Sequence, residues 1–195
     1  MSVVGGDDYY PLGESSIFSD SNSDTSSNVT VKALTVTALM TASGIVGRVA
    51  FQGYPSVETV LPVAIAVGFY AGRSQGLVSG VSGFYVTNFL VYGGQGPWTF
   101  FQVAGAGLAA LSASYLSRLS SGRRMFFVSL VAGTFVFEAA INFGSLFFSG
   151  VGLFSVGGYL LASVPFVLTH LVSTVGFGVT IYGFDRKFRS VYGRN

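Results

Sequence analysis

Gly93-Gly94-Gln95-Gly96-Pro97-Trp98-Thr99-Phe100-Phe101-Gln102 stands between two long apolar runs. The glycines interrupt the first run, and Pro97 suits the opening position of a new helix. The only tryptophan of the chain comes next, and Gln102 follows one helical turn later. So brief a polar break between apolar runs predicts a hairpin of membrane helices. Its tip would be the mouth of the bundle, where a small solute is received.

Composition supports a membrane setting. Only 9% of the 195 residues are charged and mean hydropathy is +0.62, whereas soluble domains carry about 25% charge. So few charges cannot cover a water-facing surface. The 27 glycines suit helices whose backbones approach closely in lipid. With no cysteine and a single histidine, neither a disulfide nor a metal site is expected. The net charge of +2 comes from the loops and does not point to nucleic acid. No Walker A phosphate loop is present, and the first 30 residues lack the apolar core of a cleavable signal peptide.

Outward from the opening stretch, six apolar spans are read: about Val31–Phe51, Pro55 or Val57 to Gly72, Gly76–Tyr92, Pro97–Leu119, Met125–Phe148 and Gly157–Phe184. A crossing helix needs about 20 residues; the second and third spans lie near the lower limit. Polar Arg73-Ser74-Gln75 separates these two. Alternating the loops across a membrane places Lys32, Arg73, Arg118, Arg123, Arg124, Arg186, Lys187, Arg189 and Arg194 on one side, nine of the ten basic residues. The positive-inside rule then puts both termini in the cytoplasm. Gln52–Ser56, Gly93–Gly96 and Ser149–Val156 become the outer connections. The fold class is therefore an all-α integral membrane protein with six transmembrane helices. Residues 1–30, with Asp7, Asp8, Glu14, Asp20 and Asp24 among many serines, read as a disordered acidic tail. Residues 31–184 form the membrane domain, and 185–195 a basic cytoplasmic tail.

Polar groups inside apolar spans are costly, roughly 2.5–3.5 kcal/mol for a charge at a helix centre, and those here gather towards the outer half. Arg48 and Gln52 close the first span, and Glu58 opens the second. Asn88 lies in the third, Trp98 and Gln102 in the fourth, Glu138 and Asn142 on one face of the fifth, and His170 in the sixth. Helical rise puts Glu138 and His170 at similar depth, roughly 20 Å from the cytoplasmic end. They form either a structural pair or a polar floor beneath a ligand. Arg48 with Glu58 is either an interfacial ion pair or a ligand contact. Trp98 is either an interfacial anchor or a wall of the site. Asn88 and Gln102 are either interhelical glue or ligand contacts.

Two other function classes have some footing in the sequence. Gly80-Val81-Ser82-Gly83 is similar to the GxSG of rhomboid intramembrane proteases, with His170 as a possible base for Ser82. The serine falls on the third rather than the fourth helix, and no second histidine is present to bind an oxyanion. A small channel would need polar groups through the whole thickness, and the inner halves are apolar.

Ala38 and Ala42 make a flat small-residue patch on the first span. This AxxxA patch, the run Arg48…Gly53-Tyr54-Pro55-Ser56-Val57-Glu58 and the glycines at 68, 72, 76, 80 and 83 come together with Gly96-Pro97-Trp98-Thr99-Phe100-Phe101-Gln102 and Pro165-Phe166-Val167-Leu168-Thr169-His170. The set resembles the substrate-binding S components of energy-coupling factor (ECF) transporters, one group of which carries GPWTPxQ and PFDxxH elements. Phe100, Val167 and Thr174 stand where that group has Pro, Asp and often Asn. The resemblance implies a six-helix, non-enzymatic protein of the cell membrane that captures a vitamin or related cofactor precursor from outside. Arg48, Gln52, Glu58, Asn88, Trp98, Gln102, Glu138, Asn142 and His170 would bind it. Ala38 and Ala42 would dock on a membrane T component driven by two ATPase subunits, so ATP is used by the partners and no cofactor is bound by this chain. Cobalamin-like compounds, pantothenate, pyrimidine precursors and deazapurines all remain open as the solute.

Overall fold

The computed structural model of the chain describes residues 21–150 and 155–193. Among these there are seven helices and no strand: α1 Ser21–Ala50, α2 Val60–Ala71, α3 Arg73–Thr87, α4 Pro97–Leu119, α5 Arg123–Ser149, α6 Val156–Tyr182 and α7 Asp185–Tyr192. The apolar part of α1 from Val31, together with α4, α5 and α6, is long and apolar enough to cross a membrane. These four helices fit a multi-pass membrane bundle. The acidic residues read as tail at 7, 8, 14 and 20 lie outside the described residues. Helix α1, however, already begins at Ser21, because extending a nucleated helix is far cheaper than starting one.

The bundle is built around α2. Every residue from Val60 to Tyr70 is buried, so lipid never meets this short helix and its length need not match the bilayer. Helices α2, α3 and α4 meet almost backbone to backbone. A Cβ on Gly68 would lie 2.2 Å from the Ala110 carbonyl oxygen, and one on Gly76 would lie 2.5 Å from the Gly68 Cα. Gly80 meets the Ala106 carbonyl carbon in the same way at 2.9 Å, while Ala106, Ala109, Ala110 and Ala113 line the facing side of α4. The glycine punctuation is thus a packing code for close helix contact.

Three boundaries differ from the sequence reading. The α2–α3 turn is the single residue Gly72, at φ 97°, a conformation open to glycine at little cost. Arg73-Ser74-Gln75 forms the first turn of α3 instead of a loop. Residues 51–59 form an irregular segment ahead of α2 that crosses the end of the bundle, with Ser56 at φ 59°. The expected C-terminal tail contains helix α7.

Helix α7 seals the end of the bundle where the basic residues gather. Tyr70 donates to Asp185 Oδ1 at 2.7 Å, and Arg189 Nε donates to Asp185 Oδ2 at 2.8 Å. Arg189 Nη2 also donates to the Ser121 carbonyl in the α4–α5 turn. Thr37 of α1 donates to Gln75 of α3 and accepts from the Tyr192 hydroxyl at 3.0 Å. Phe188 packs on Tyr70, ring centres 5.4 Å apart. Burial alone would raise the Asp185 carboxyl, but hydrogen bonds from Arg189 and Tyr70 outweigh it and hold it below its ordinary value. A depressed carboxyl stabilises the docked helix above its unfolded value, near 3.9, and loses that contribution as pH falls through the lower folded value. A spin label on Lys187→Cys, unique in a chain without cysteine, should therefore be immobile at neutral pH and mobile in strong acid. Adding Asp185→Asn should mobilise it already at neutral pH; a label that stays immobile would show that the carboxylate does not hold α7.

Candidate functional site

At the opposite end from α7, five helices and the 51–59 segment line a half-open cavity of about 300 Å³. Arg48 comes from the last turn of α1, Glu58 from the segment before α2 and Phe84 from α3. Gln102 comes from α4, Phe137 and Ile141 from α5, and His170 from α6. Gln52, Tyr54 and Tyr92 stand at its rim, where both tyrosines are exposed. Five of the residues picked out in the sequence, Arg48, Gln52, Glu58, Gln102 and His170, thus line one chamber although they span more than a hundred positions.

Arg48 and Glu58 form its charged side. Arg48 Nε lies 3.4 Å from Glu58 Oε2, Nη1 donates to Thr87 Oγ1 at 2.7 Å, and the guanidinium carbon stands 4.4 Å from the centre of the Phe84 ring. Glu58 is only 5% exposed, and its Oε1 is buried without a hydrogen-bond partner. A buried charged acceptor left unanswered costs about 1–3 kcal/mol or more, so a ligand, water or ion in the chamber would be held here.

The opposite wall is fixed from behind. Asn88 is buried and donates to Thr99 Oγ1 at 2.9 Å and to Gln102 Oε1 at 2.7 Å. Thr99 itself accepts from the Gly96 N–H at the start of α4, 3.2 Å away. The Gly96-Pro97-Trp98-Thr99 turn therefore starts the helix and also orients Gln102. With one lone pair of its carbonyl held by Asn88, Gln102 has its NH2 donor fully available to a ligand. Across the chamber, Glu138 is hydrogen-bonded to His170 Nδ1, and the Phe137 ring meets the imidazole edge-on at 5.6 Å between centres. Glu138 and Asn88 thus stand behind the lining as positioning groups.

Two of the residues picked out lie elsewhere. Trp98 is 48% exposed and folds back over its own turn: its Nε1 donates to the Gly94 carbonyl at 3.3 Å, and a Cβ on Gly96 would sit 2.3 Å from its ring. It borders a separate, mostly apolar pocket of about 260 Å³ with Phe101 and Phe148. Asn142 is partly buried and falls outside the described lining of the chamber. Phe84, Phe137 and Tyr92 were missed in the sequence, because nothing distinguishes a lining aromatic among 19 phenylalanines and 10 tyrosines.

The irregular segment is a strap over the chamber, tied at several points. Gln52 Oε1 accepts the Tyr92 N–H at 3.1 Å, Ser173 of α6 donates to the Ser56 carbonyl at 3.2 Å, and Thr59 donates to the Gly44 carbonyl at 2.6 Å. Phe51 and Phe177 pack beside it, ring centres 5.5 Å apart. Ser82 has no part in this site: its hydroxyl donates to the Val78 carbonyl of its own helix at 2.6 Å, and His170 is engaged by Glu138. Ala38 and Ala42 lie exposed on the outer face of α1, while Thr37, Met40 and Gly44 turn inward.

Comparison of the chain with protein-family models, curated proteins and solved structures returns no match. The chemistry of the chamber itself is therefore what speaks to function. It has a buried ion pair, an orphan carboxylate oxygen, an oriented amide donor and a carboxylate-held imidazole. Such convergent polar groups in a small cavity suit recognition of a polar small molecule.

Proposed function

We propose that this protein is a solute-binding membrane subunit of the S-component kind. It captures a small, water-soluble, vitamin-like compound from outside the cell and passes it to an ATP-driven module. The observation that carries the reading is the chamber. Polar groups from separate helices converge beneath a tied strap at one end of the bundle, opposite the end bearing the basic turns. In this reading the chain crosses the cell membrane six times with both termini in the cytoplasm, α2 and α3 forming the short central hairpin. The positive-inside distribution of Lys and Arg supports that orientation. Burial of α2 supports counting it as a span, because a short helix is tolerated at membrane depth where protein rather than lipid surrounds it.

The protein is a binder rather than an enzyme in this reading. Arg48, Gln52, Glu58, Gln102 and His170 touch the solute, while Asn88 and Glu138 hold them. The exposed Ala38–Ala42 face of α1 is the surface for a membrane T component carrying two ATPase subunits. Close helix approach there needs a side chain no larger than a methyl group. Purification of the tagged chain from its native membranes should bring down a membrane protein and two ATPases, together with a small molecule detectable by native mass spectrometry. Ala38→Trp or Ala42→Trp should lose the protein partners and keep the small molecule. Loss of both together, or of neither, would overturn the docking role of this face.

A further inference from the structure

We infer that the solute is an uncharged, amino-substituted nitrogen heterocycle of one or two fused rings, bound with an N–H edge on Glu58. The inference rests on the receptor reading above and narrows it to a chemical class. Size comes first. A chamber of about 300 Å³ lies at the lower end of small-molecule sites, so a macrocycle of the corrin kind is too large to be enclosed. Charge comes second. Arg48 is already paired with Glu58, and His170 is hydrogen-bonded to Glu138. A solute carboxylate would have to compete with Glu58 for Arg48 and would sit beside a like charge in a poorly solvated space.

Hydrogen bonding then selects the edge. Glu58 Oε1 is buried without a hydrogen-bond partner, although the carboxylate also faces the Leu61 backbone N–H at the start of α2, and it has room to accept from a solute donor. The Gln102 amide, whose oxygen already accepts from Asn88, has its NH2 left to donate and so favours an acceptor. A ring amine or ring N–H next to a ring nitrogen or carbonyl presents such a donor and acceptor side by side in one rigid plane. Phe84 and Phe137, ring centres 4.9 Å apart, close the floor, and the exposed Tyr54 and Tyr92 flank the rim. A flat ring presents its faces to these rim tyrosines with little loss of conformational freedom.

The test is calorimetry on the full chain in nanodiscs after removal of co-purifying solute. The probes are cytosine, 2-aminopyrimidine and guanine, set against pantothenate, ribitol and cyanocobalamin. At least one amino heterocycle should bind at one per chain, while the acid, the polyol and the corrin do not. Glu58→Gln should weaken that binding at least tenfold. Gln102→Ala, which leaves the ion pair intact, should weaken it also and serves if Glu58→Gln does not fold. Tighter binding of pantothenate, ribitol or cyanocobalamin, or a co-purifying solute with neither a ring amine nor a ring N–H, overturns the class and leaves the receptor reading standing. Absence of any bound small molecule, both in this panel and in native mass spectrometry of the freshly purified protein, overturns both.

Discussion

Arg48→Ala should lose solute binding altogether and should also cost the fold about 3–5 kcal/mol, the usual result of leaving one member of a buried ion pair without its partner. Arg48 makes three contacts that alanine cannot replace: the ion pair to Glu58, the hydrogen bond to Thr87 and the stack on Phe84. Its removal leaves a carboxylate that is 5% exposed with no cation beside it. The sign of a second change separates pairing from packing. Arg48→Ala with Glu58→Gln should recover much of the lost thermal stability, since no charge is then left buried, while binding stays absent. Arg48→Lys should fall between, because an ammonium keeps the charge but not the planar stack. Thermal unfolding of the detergent-purified variants measures the first quantity and calorimetry the second. If the single variant melts with the parent, the ion pair is not part of what holds the strap and α1 together.

Gly68→Val should be the most damaging single change to the bundle. A Cβ at this position would lie 2.2 Å from the Ala110 carbonyl oxygen and 2.9 Å from its carbonyl carbon. The obstacle is helix backbone, which cannot rotate away as a side chain does. Overpacking of ordinary cores costs about 1–3 kcal/mol and occasionally more; at a three-helix backbone contact the upper part of that range or beyond is expected. Gly107→Val is the informative control. Its nearest obstacle is the far end of the Leu77 side chain at 2.9 Å, which has room to move on a face that is itself partly exposed. Gly68→Val should therefore fail to yield monodisperse protein where Gly107→Val yields it with a modest drop in melting temperature. Equal behaviour of the two would mean that α2 and α4 can separate without loss of the fold.

Much of the architecture was legible because membrane helices announce themselves. The runs read as Pro97–Leu119 and Gly157–Phe184 match α4 and α6 closely, since a long apolar stretch bounded by glycine and proline has few alternatives in lipid. The break at Gly93–Gly96 was visible for the same reason. The short elements were harder. Residues 55–59 and 88–92 read as parts of the second and third spans, because apolar content does not distinguish helix from a strap held by hydrogen bonds such as Tyr92 N–H to Gln52. Helix α7 reads as tail in the sequence because eight residues of mixed charge have no tendency to form a helix alone; its docking on Tyr70, Ser121 and Thr37 supplies what local propensity does not.

The site divides in a similar way. Arg48, Glu58, Gln102 and His170 were found because a polar side chain in an apolar run must be answered by something, and equal helical depth put Glu138 with His170. Trp98 carried the same weight in the sequence, yet the fold turns it back over Gly96 and leaves Gln102 as the residue of its turn that reaches the chamber. By itself, the sequence determined that the chain is a bundle of apolar helices with its basic turns at one end and its buried polar groups towards the other, since the cost of exposing charge or unpaired backbone to lipid leaves little choice. Only the tertiary structure decided which of those polar groups share a cavity, which stand behind it and which oxygen remains unanswered, because these depend on helix rotation and on glycine contacts that differ by fractions of an ångström while the apolar pattern stays the same.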